Sequence, residues 1–181
     1  MRVIAGRYKG RRLASPKWPG LRPTSDKLRE TLFNILAPRI EGARVLDGFA
    51  GTGALGIEAL SRGAANVTFV DRDRRAVALV EENLRRCGIA DGYAMIRGEI
   101  GAVARTPASA AFDLILLDPP YDEPDLQATI EQVAATLTET GILVLEHARR
   151  VPAPEIAGGL VRKREVLSGD SALAFYVRGA A

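Results

Sequence analysis

Residues 43–62, ARVLDGFAGTGALGIEALSR, constrain the chain more than any other run. Val45-Leu46 and Phe49-Ala50 have the apolar character of a buried strand. Gly51-Thr52-Gly53 interrupts the pattern, and Ala54, Leu55, Ile57, Ala59 and Leu60 restart it at helical spacing. A strand, a glycine turn and a helix start together form a ligand cradle. Glycine lets backbone approach the ligand closely, and the free N–H groups of the helix start point at it.

Gly51 to Gly56 spells G-x-G-x-x-G, a pattern too loose to name a ligand by itself. The acid upstream discriminates. Asp47, four residues before Gly51 and at the carboxyl end of the strand, gives D-x-F-x-G-x-G. A carboxylate there repels a pyrophosphate and suits a ligand that carries an ammonium and a sulfonium. That description fits S-adenosylmethionine better than a dinucleotide.

The surrounding pattern places this cradle in an α/β domain. Upstream, Thr24 or Ser25 can cap a helix whose stripe is Leu28, Leu32, Ile35 and Leu36, with Pro38 expected to end it. Downstream, Asn66–Val70 reads as a strand ending at Asp71, and the helix over 73–87 buries Ala76, Val77, Val80 and Leu84 behind an Asp73 cap. Tyr93–Arg97 is a third strand, followed by Gly98-Glu99-Ile100. Phe112–Leu117 is nearly continuous apolar, as expected of a central parallel strand. Leu126, Ile130, Val133, Ala134 and Leu137 make another helix stripe, Gly141–Leu145 a fifth strand, and Leu160–Leu167 with Ala172–Val177 a closing hairpin. Strands alternating with helices predict a doubly wound sheet, with the ligand at the carboxyl ends of the first and fourth strands. Asp71 lies 20 residues beyond Gly51, the spacing of an acid that binds ribose hydroxyls.

The fourth strand ends in a second chemical motif, Asp118-Pro119-Pro120-Tyr121. An exocyclic amine on a nucleobase is a poor nucleophile, because its lone pair is delocalised into the ring. A carboxylate and a backbone carbonyl accepting its two N–H bonds would help it pyramidalise and hold the growing positive charge. Asp118 and the Pro119 carbonyl supply these acceptors. The prolines fix φ and have no N–H to compete. Tyr121 offers a ring on which an extruded base can stack.

Charge is unevenly distributed. Residues 1–40 hold ten Lys and Arg against Asp26 and Glu30, a net of +8, whereas the remaining 141 residues carry a net of −5. A basic amino-terminal arm on a mildly acidic domain fits a polyanion-binding enzyme. Arg2–Gly6 and Arg11–Ala14 read as the strands of a basic hairpin around Gly6 and Gly10, followed by a Pro-rich loop over 15–23 that contains Trp18. Trp18 can stack on a base or pack against the body. At 181 residues the chain is long enough for one full core and too short for a second large domain. No apolar run reaches membrane-spanning length and the amino terminus lacks a secretory core, so a cytoplasmic protein without a membrane partner is expected. The single Cys87 excludes an internal disulfide, and with one histidine, His147, no zinc cluster can form; no metal is expected.

With both motifs in view, the chain resembles the bacterial 16S rRNA (guanine(966)-N(2))-methyltransferase family. The resemblance covers RVIAG at 2–6, KGRRL at 9–13, GLRPTSDKLRETLFN at 20–34, residues 47–63, Asp118–Tyr121 and Phe175-Tyr176. It implies a Rossmann-like class I SAM-dependent methyltransferase: a mostly parallel sheet with a C-terminal antiparallel hairpin, preceded by a small basic hairpin. The arm would comprise residues 1–23 and the catalytic domain residues 24–181. Asp118, Pro119 and Tyr121 are the expected catalytic residues. Thr24, Asp47, Phe49, Gly51, Gly53, Asp71, Arg72, Glu99 and Asp118 are expected to hold S-adenosyl-L-methionine, with Arg22-Pro23-Thr24 flanking its methionine end. Arg2, Arg7, Lys9, Arg11, Arg12, Lys17, Trp18 and Arg22 are expected to meet the partner, 16S rRNA, naked or within small-subunit particles. Monomer is the default expectation. Gly48 stands where cysteine is expected, Thr52 where serine is common, and Glu99 where aspartate is usual. The alternatives are an adenine-N6 DNA methyltransferase, a catalytically silent RNA-binding or assembly factor, and, more remotely, a dinucleotide-linked oxidoreductase.

Overall fold

A computed structural model describes residues 1–18, 25–105 and 112–179. Period-two alternation along the strands sorts their side chains onto two faces of one sheet. Val45, Leu114, Leu116, Val144, Leu173 and Phe175 enter one buried cluster, whereas Leu46, Ile115, Leu117, Leu143, Leu145, Ala174 and Tyr176 enter the other. Helices cover both faces, which is why the central strands read as continuous apolar runs.

The elements follow in chain order. Helix α1 (Asp26–Ile40) precedes β1 (Arg44–Gly48), α2 (Ala54–Ser61), β2 (Asn66–Asp71), α3 (Arg74–Cys87) and β3 (Tyr93–Arg97). A 3-10 turn (Ile100–Arg105) then leads to β4 (Phe112–Leu117), α4 (Leu126–Ala134), β5 (Leu137–Ala148), β6 (Ile156–Ala157), β7 (Leu160–Ser168) and β8 (Ser171–Arg178). The sheet order is β3-β2-β1-β4-β5-β8-β7-β6. β1 to β5 run parallel, and β8, β7 and β6 are added antiparallel. The chain reverses its winding between β1 and β4, so the loops leaving these neighbours diverge and open a crevice. Helices α1, α2 and α3 cover the first face; α4 and the 3-10 turn cover the second. Among the described residues no helix is long and apolar enough to cross a membrane.

Four local expectations need correction. Pro38 does not end α1, which runs two residues further to Ile40. The proline is exposed and its missing N–H falls in the last turn, while buried Ile40 anchors that turn to the core. The buried stripe of α1 also uses Arg29 and Phe33, and Ile35 is only half-buried. Leu137 is not the end of the α4 stripe; it opens β5 opposite Phe112, and its burial in the same cluster mimics helical spacing. Finally, 2–6 and 11–14 are not strands. They are joined by a single bridge, Arg2 to Arg12, with the Val3 N–H donating to the Arg11 carbonyl at 2.9 Å.

The Gly10 N–H to Val3 carbonyl and Leu13 N–H to Met1 carbonyl bonds complete that pairing, and the arm's next amides bond to α2 instead. The Glu58 carboxylate, fully buried on α2, accepts the Ile4 and Ala5 N–H groups at 2.8 and 3.0 Å. Ser61 accepts the Tyr8 N–H on its hydroxyl and the Arg7 N–H on its carbonyl. Val3 and Leu13 are buried in the same cluster as α1 to α3.

Candidate active site

Each wall of the crevice is built from local chemistry. β1 ends at Gly48, where a Cβ would lie 2.6 Å from both Ile100 Cδ1 and Leu117 Cδ2. In this chain those two side chains fill the space expected for a cysteine. The backbone then turns through Phe49 at φ +60°, the one non-glycine residue with positive φ among the described residues. Such a conformation costs about 1–3 kcal/mol and is held only where the surroundings determine it. Phe49 packs against the second cluster, and the Ala50 N–H is fixed on the Val70 carbonyl at 3.0 Å.

The glycine turn spends its amides on the chain's own acids. The Gly51 N–H donates to Asp71 Oδ2 at 2.9 Å, and the Gly56 N–H, in the first turn of α2, donates to Asp47 Oδ2 at 2.8 Å. A dinucleotide site would offer such groups to a pyrophosphate. Gly56 also lets α2 lie close on the sheet, since a Cβ there would meet the Phe69 ring at 2.3 Å. Gly53 caps α2 at φ +75° and does not line the crevice.

Asp47 is 1% exposed. Burial pushes its carboxyl well above the usual carboxylate range; the Gly56 hydrogen bond opposes that, while the charges of Asp118 and Asp71 add to it. A buried carboxyl with two acidic neighbours favours a cationic ligand, whose arrival restores the ionised form. Asp71 also accepts the Asp73 N–H on Oδ1 at 2.8 Å. Asp73 in turn caps α3 and pairs with Arg75. At the rim, Arg72 and Glu99 are largely exposed and face each other at 3.5 Å.

The opposite wall comes from the end of β4. Asp118 is half-buried, Pro119 buried and Pro120 exposed. The Tyr121 hydroxyl bonds the Ser171 hydroxyl, at the start of β8. Because β8 is antiparallel to β5, its first residue reaches the same sheet end as the last residues of β4.

The crevice so formed has a volume of about 1000 Å³. It brings together Asp47, Phe49, Gly51, Asp71, Arg72 and Glu99 on one side with Asp118, Pro119 and Tyr121 on the other. Trp18 also borders it, whereas Arg2, Arg7, Lys9, Arg11, Arg12 and Lys17 do not. Thr24 and Arg22 lie outside the described residues. Sequence reasoning missed Glu146, buried at 6% exposure near the end of β5, together with Arg150 and the 168–171 turn, all of which line the crevice. Glu146 had a usable signal, an acid at a parallel strand's carboxyl end. The turn had none, because its place depends on a distant strand pairing. Cys87 lies in the first cluster, where burial pushes its thiol up, away from reactivity.

Comparison with known proteins adds an independent line. Residues 1–177 match the family described as Conserved hypothetical protein 95. The chain is 41% identical over 180 residues to a Bacillus subtilis protein named "Putative rRNA methyltransferase YlbH", covering 97% of this chain and 98% of that one. It is 35% identical over 182 residues to the Escherichia coli "Ribosomal RNA small subunit methyltransferase D", covering 99% and 91% respectively. Among solved structures, the Escherichia coli "Putative methyltransferase yhhF" superposes with a TM-score of 0.86 at 34% identity, covering 100% of this chain and 99% of that one.

Proposed function

The chain belongs to the Conserved hypothetical protein 95 family, that of the small-subunit rRNA methyltransferase D enzymes, and we propose that it methylates the exocyclic N2 of guanine 966 in 16S rRNA. The coarser activity is SAM-dependent methylation of rRNA. One observation supports methyl transfer to an exocyclic amine: Asp118-Pro119 faces the Asp47 glycine turn across a single crevice, so an amine acceptor site and a cation-favouring site share one space. The choice of guanine N2 rests on the family resemblance.

The residues fit S-adenosyl-L-methionine. Asp47, Asp71 and Asp118 gather negative charge where a cationic ligand would lie, and the Gly51 and Gly56 amides are already taken by Asp71 and Asp47. Asp47 would face the cationic portion, Asp71 the ribose, and Phe49 would form an apolar wall; Arg72 and Glu99 would bound the outer end. When bound, the cofactor supplies an electrophilic methyl group and leaves as the thioether.

The protein's own contribution is positioning and electrostatics. Asp118 and the Pro119 carbonyl accept the two N–H bonds of the amine, pyramidalise it and stabilise its growing positive charge. Asp118 then holds the released proton. Tyr121, oriented by Ser171, seats the extruded base. The exposed cations of the arm bind phosphates, which makes affinity steeply salt-dependent.

The test is tritiated-methyl transfer to small-subunit particles and to naked rRNA from a strain lacking the enzyme. Nucleosides are then resolved by mass spectrometry, with Asp118→Ala alongside. N2-methylguanosine from the wild type alone supports the reading. Label in N6-methyladenosine moves the substrate to adenine, and absence of label with cofactor still bound leaves a binding factor.

A further inference from the structure

Trp18 is the only tryptophan of the chain, and it sits apart from the arm's other functional candidates. The arm cations Arg2, Arg7, Lys9, Arg11 and Arg12 do not border the crevice, but Trp18 does, and it is half-buried there. The Arg75 guanidinium carbon lies 5.0 Å from its ring centroid. That guanidinium is itself fixed: Nη2 meets Asp73 Oδ2 at 2.7 Å, and Nε reaches both Asp73 oxygens at 3.2 Å. The Asp73 N–H donates to Asp71, whose carboxylate ties down the glycine turn. A continuous chain of contacts therefore runs from Asp71 through Asp73 and Arg75 to the indole.

An indole set on a guanidinium paired with Asp73 is an ordered apolar surface, and it borders the crevice that gathers Asp47, Asp71 and Asp118. We infer that Trp18 is part of the cofactor site: it covers the S-adenosyl ligand at its ribose edge, with Arg75 and Asp73 as positioning residues, and it does not stack on an RNA base. The assignment rests on the reading of the crevice as the cofactor site. Through it one segment serves two ligands, with phosphate-facing cations along its length and a cofactor cover at residue 18.

The experiment uses S-adenosylhomocysteine as probe and the full chain. Calorimetry on the wild type establishes binding, and fluorescence excited at the indole follows the same titration. Trp18 emission is expected to change saturably along the calorimetric isotherm. Trp18→Ala is expected to weaken S-adenosylhomocysteine on the order of tenfold, Trp18→Phe to restore most of it, and Arg75→Ala to reproduce part of the loss. Affinity for 16S rRNA fragments, measured without cofactor, should stay within about twofold in Trp18→Ala. Loss of RNA affinity in that variant overturns the assignment, as does silent fluorescence at calorimetric saturation. No calorimetric binding to the wild type instead sinks the reading of the crevice itself. Should Trp18→Ala fail to fold, the wild-type fluorescence and Trp18→Phe still decide.

Discussion

Asn83 on α3 donates its side-chain amide to the Thr52 carbonyl of the glycine turn at 2.9 Å. The same side chain accepts the Ala14 N–H at 2.7 Å and donates to the Ala14 carbonyl at 3.2 Å. One fully buried amide thus joins the arm, α3 and the cofactor turn. Asn83→Ala strands several buried polar groups, at about 1–3 kcal/mol each. Differential scanning calorimetry should record a fall of at least several degrees in Tm, at roughly 2–4 °C per kcal/mol for a chain of this size. Isothermal titration should show weakened S-adenosylhomocysteine binding alongside it.

Asp118→Asn keeps the shape and removes the charge. Loss of one preorganised group opposite the developing charge should lower kcat by about 10²–10³. Cofactor affinity should fall by a smaller factor, because Asp47 and Asp71 still present carboxylates to the cationic ligand. A kcat unaffected under saturating substrate would remove Asp118 from its proposed role.

Asp47 links the site to pH. Its folded-state carboxyl is raised, chiefly by burial. From the ordinary value of about 4 up to the raised one, the folded protein keeps a proton that the unfolded chain has lost. Stability from this group is therefore present at low pH and declines as pH rises through that window. Thermal melts at increasing pH from about 4 upward should show this decline, and Asp47→Asn should flatten it. Calorimetry in two buffers of different ionisation enthalpy should detect proton release when S-adenosylhomocysteine binds the wild type. Asp47→Asn should release none and bind weakly, while melting no lower than the wild type at neutral pH.

Glu58 holds the arm. Glu58→Ala leaves the Ile4 and Ala5 N–H groups unpaired and deprives Arg62 Nε of its 2.7 Å partner. Breaking a buried ion pair costs about 3–5 kcal/mol. Limited proteolysis should then cut within the first eighteen residues, and rRNA affinity should fall together with its salt dependence.

Gly48 and Ile100 compete for one volume. Gly48→Cys should destabilise by about 1–3 kcal/mol through overpacking. Ile100→Val removes the Cδ1 atom that a Cβ would strike. The double variant should recover part of the loss, and denaturant titration of the four proteins measures that coupling.

How much of this was legible in the sequence depended on distance along the chain. Asp47, the glycine turn and the start of α2 are contiguous, so strand, turn and helix preferences all speak about the same few residues. Asp118-Pro119-Pro120-Tyr121 is likewise one local run. The partners that complete the site come from far away. Asn83 meets Thr52 across 31 positions, Glu58 meets Ile4 across 54, and Tyr121 meets Ser171 across 50. No periodicity encodes such meetings. Burial misled in the same way: Arg29 looks like a solvent-facing cation on α1, yet it is fully buried with its guanidinium on the Arg2 carbonyl and Asp26. That burial lowers its pKa, with Asp26 and Glu58 opposing the effect.

The antiparallel return of β8 carries a consequence for synthesis. The crevice draws its walls both from Trp18 and from Ser171, which lie far apart in the sequence. During synthesis, residue 171 must have left the ribosome before the last wall can close. The nascent chain therefore emerges without a finished site, and Tyr121 waits for its hydroxyl partner until the final hairpin folds. Methyl transfer to rRNA would begin only after β8 had been made and had paired with β5.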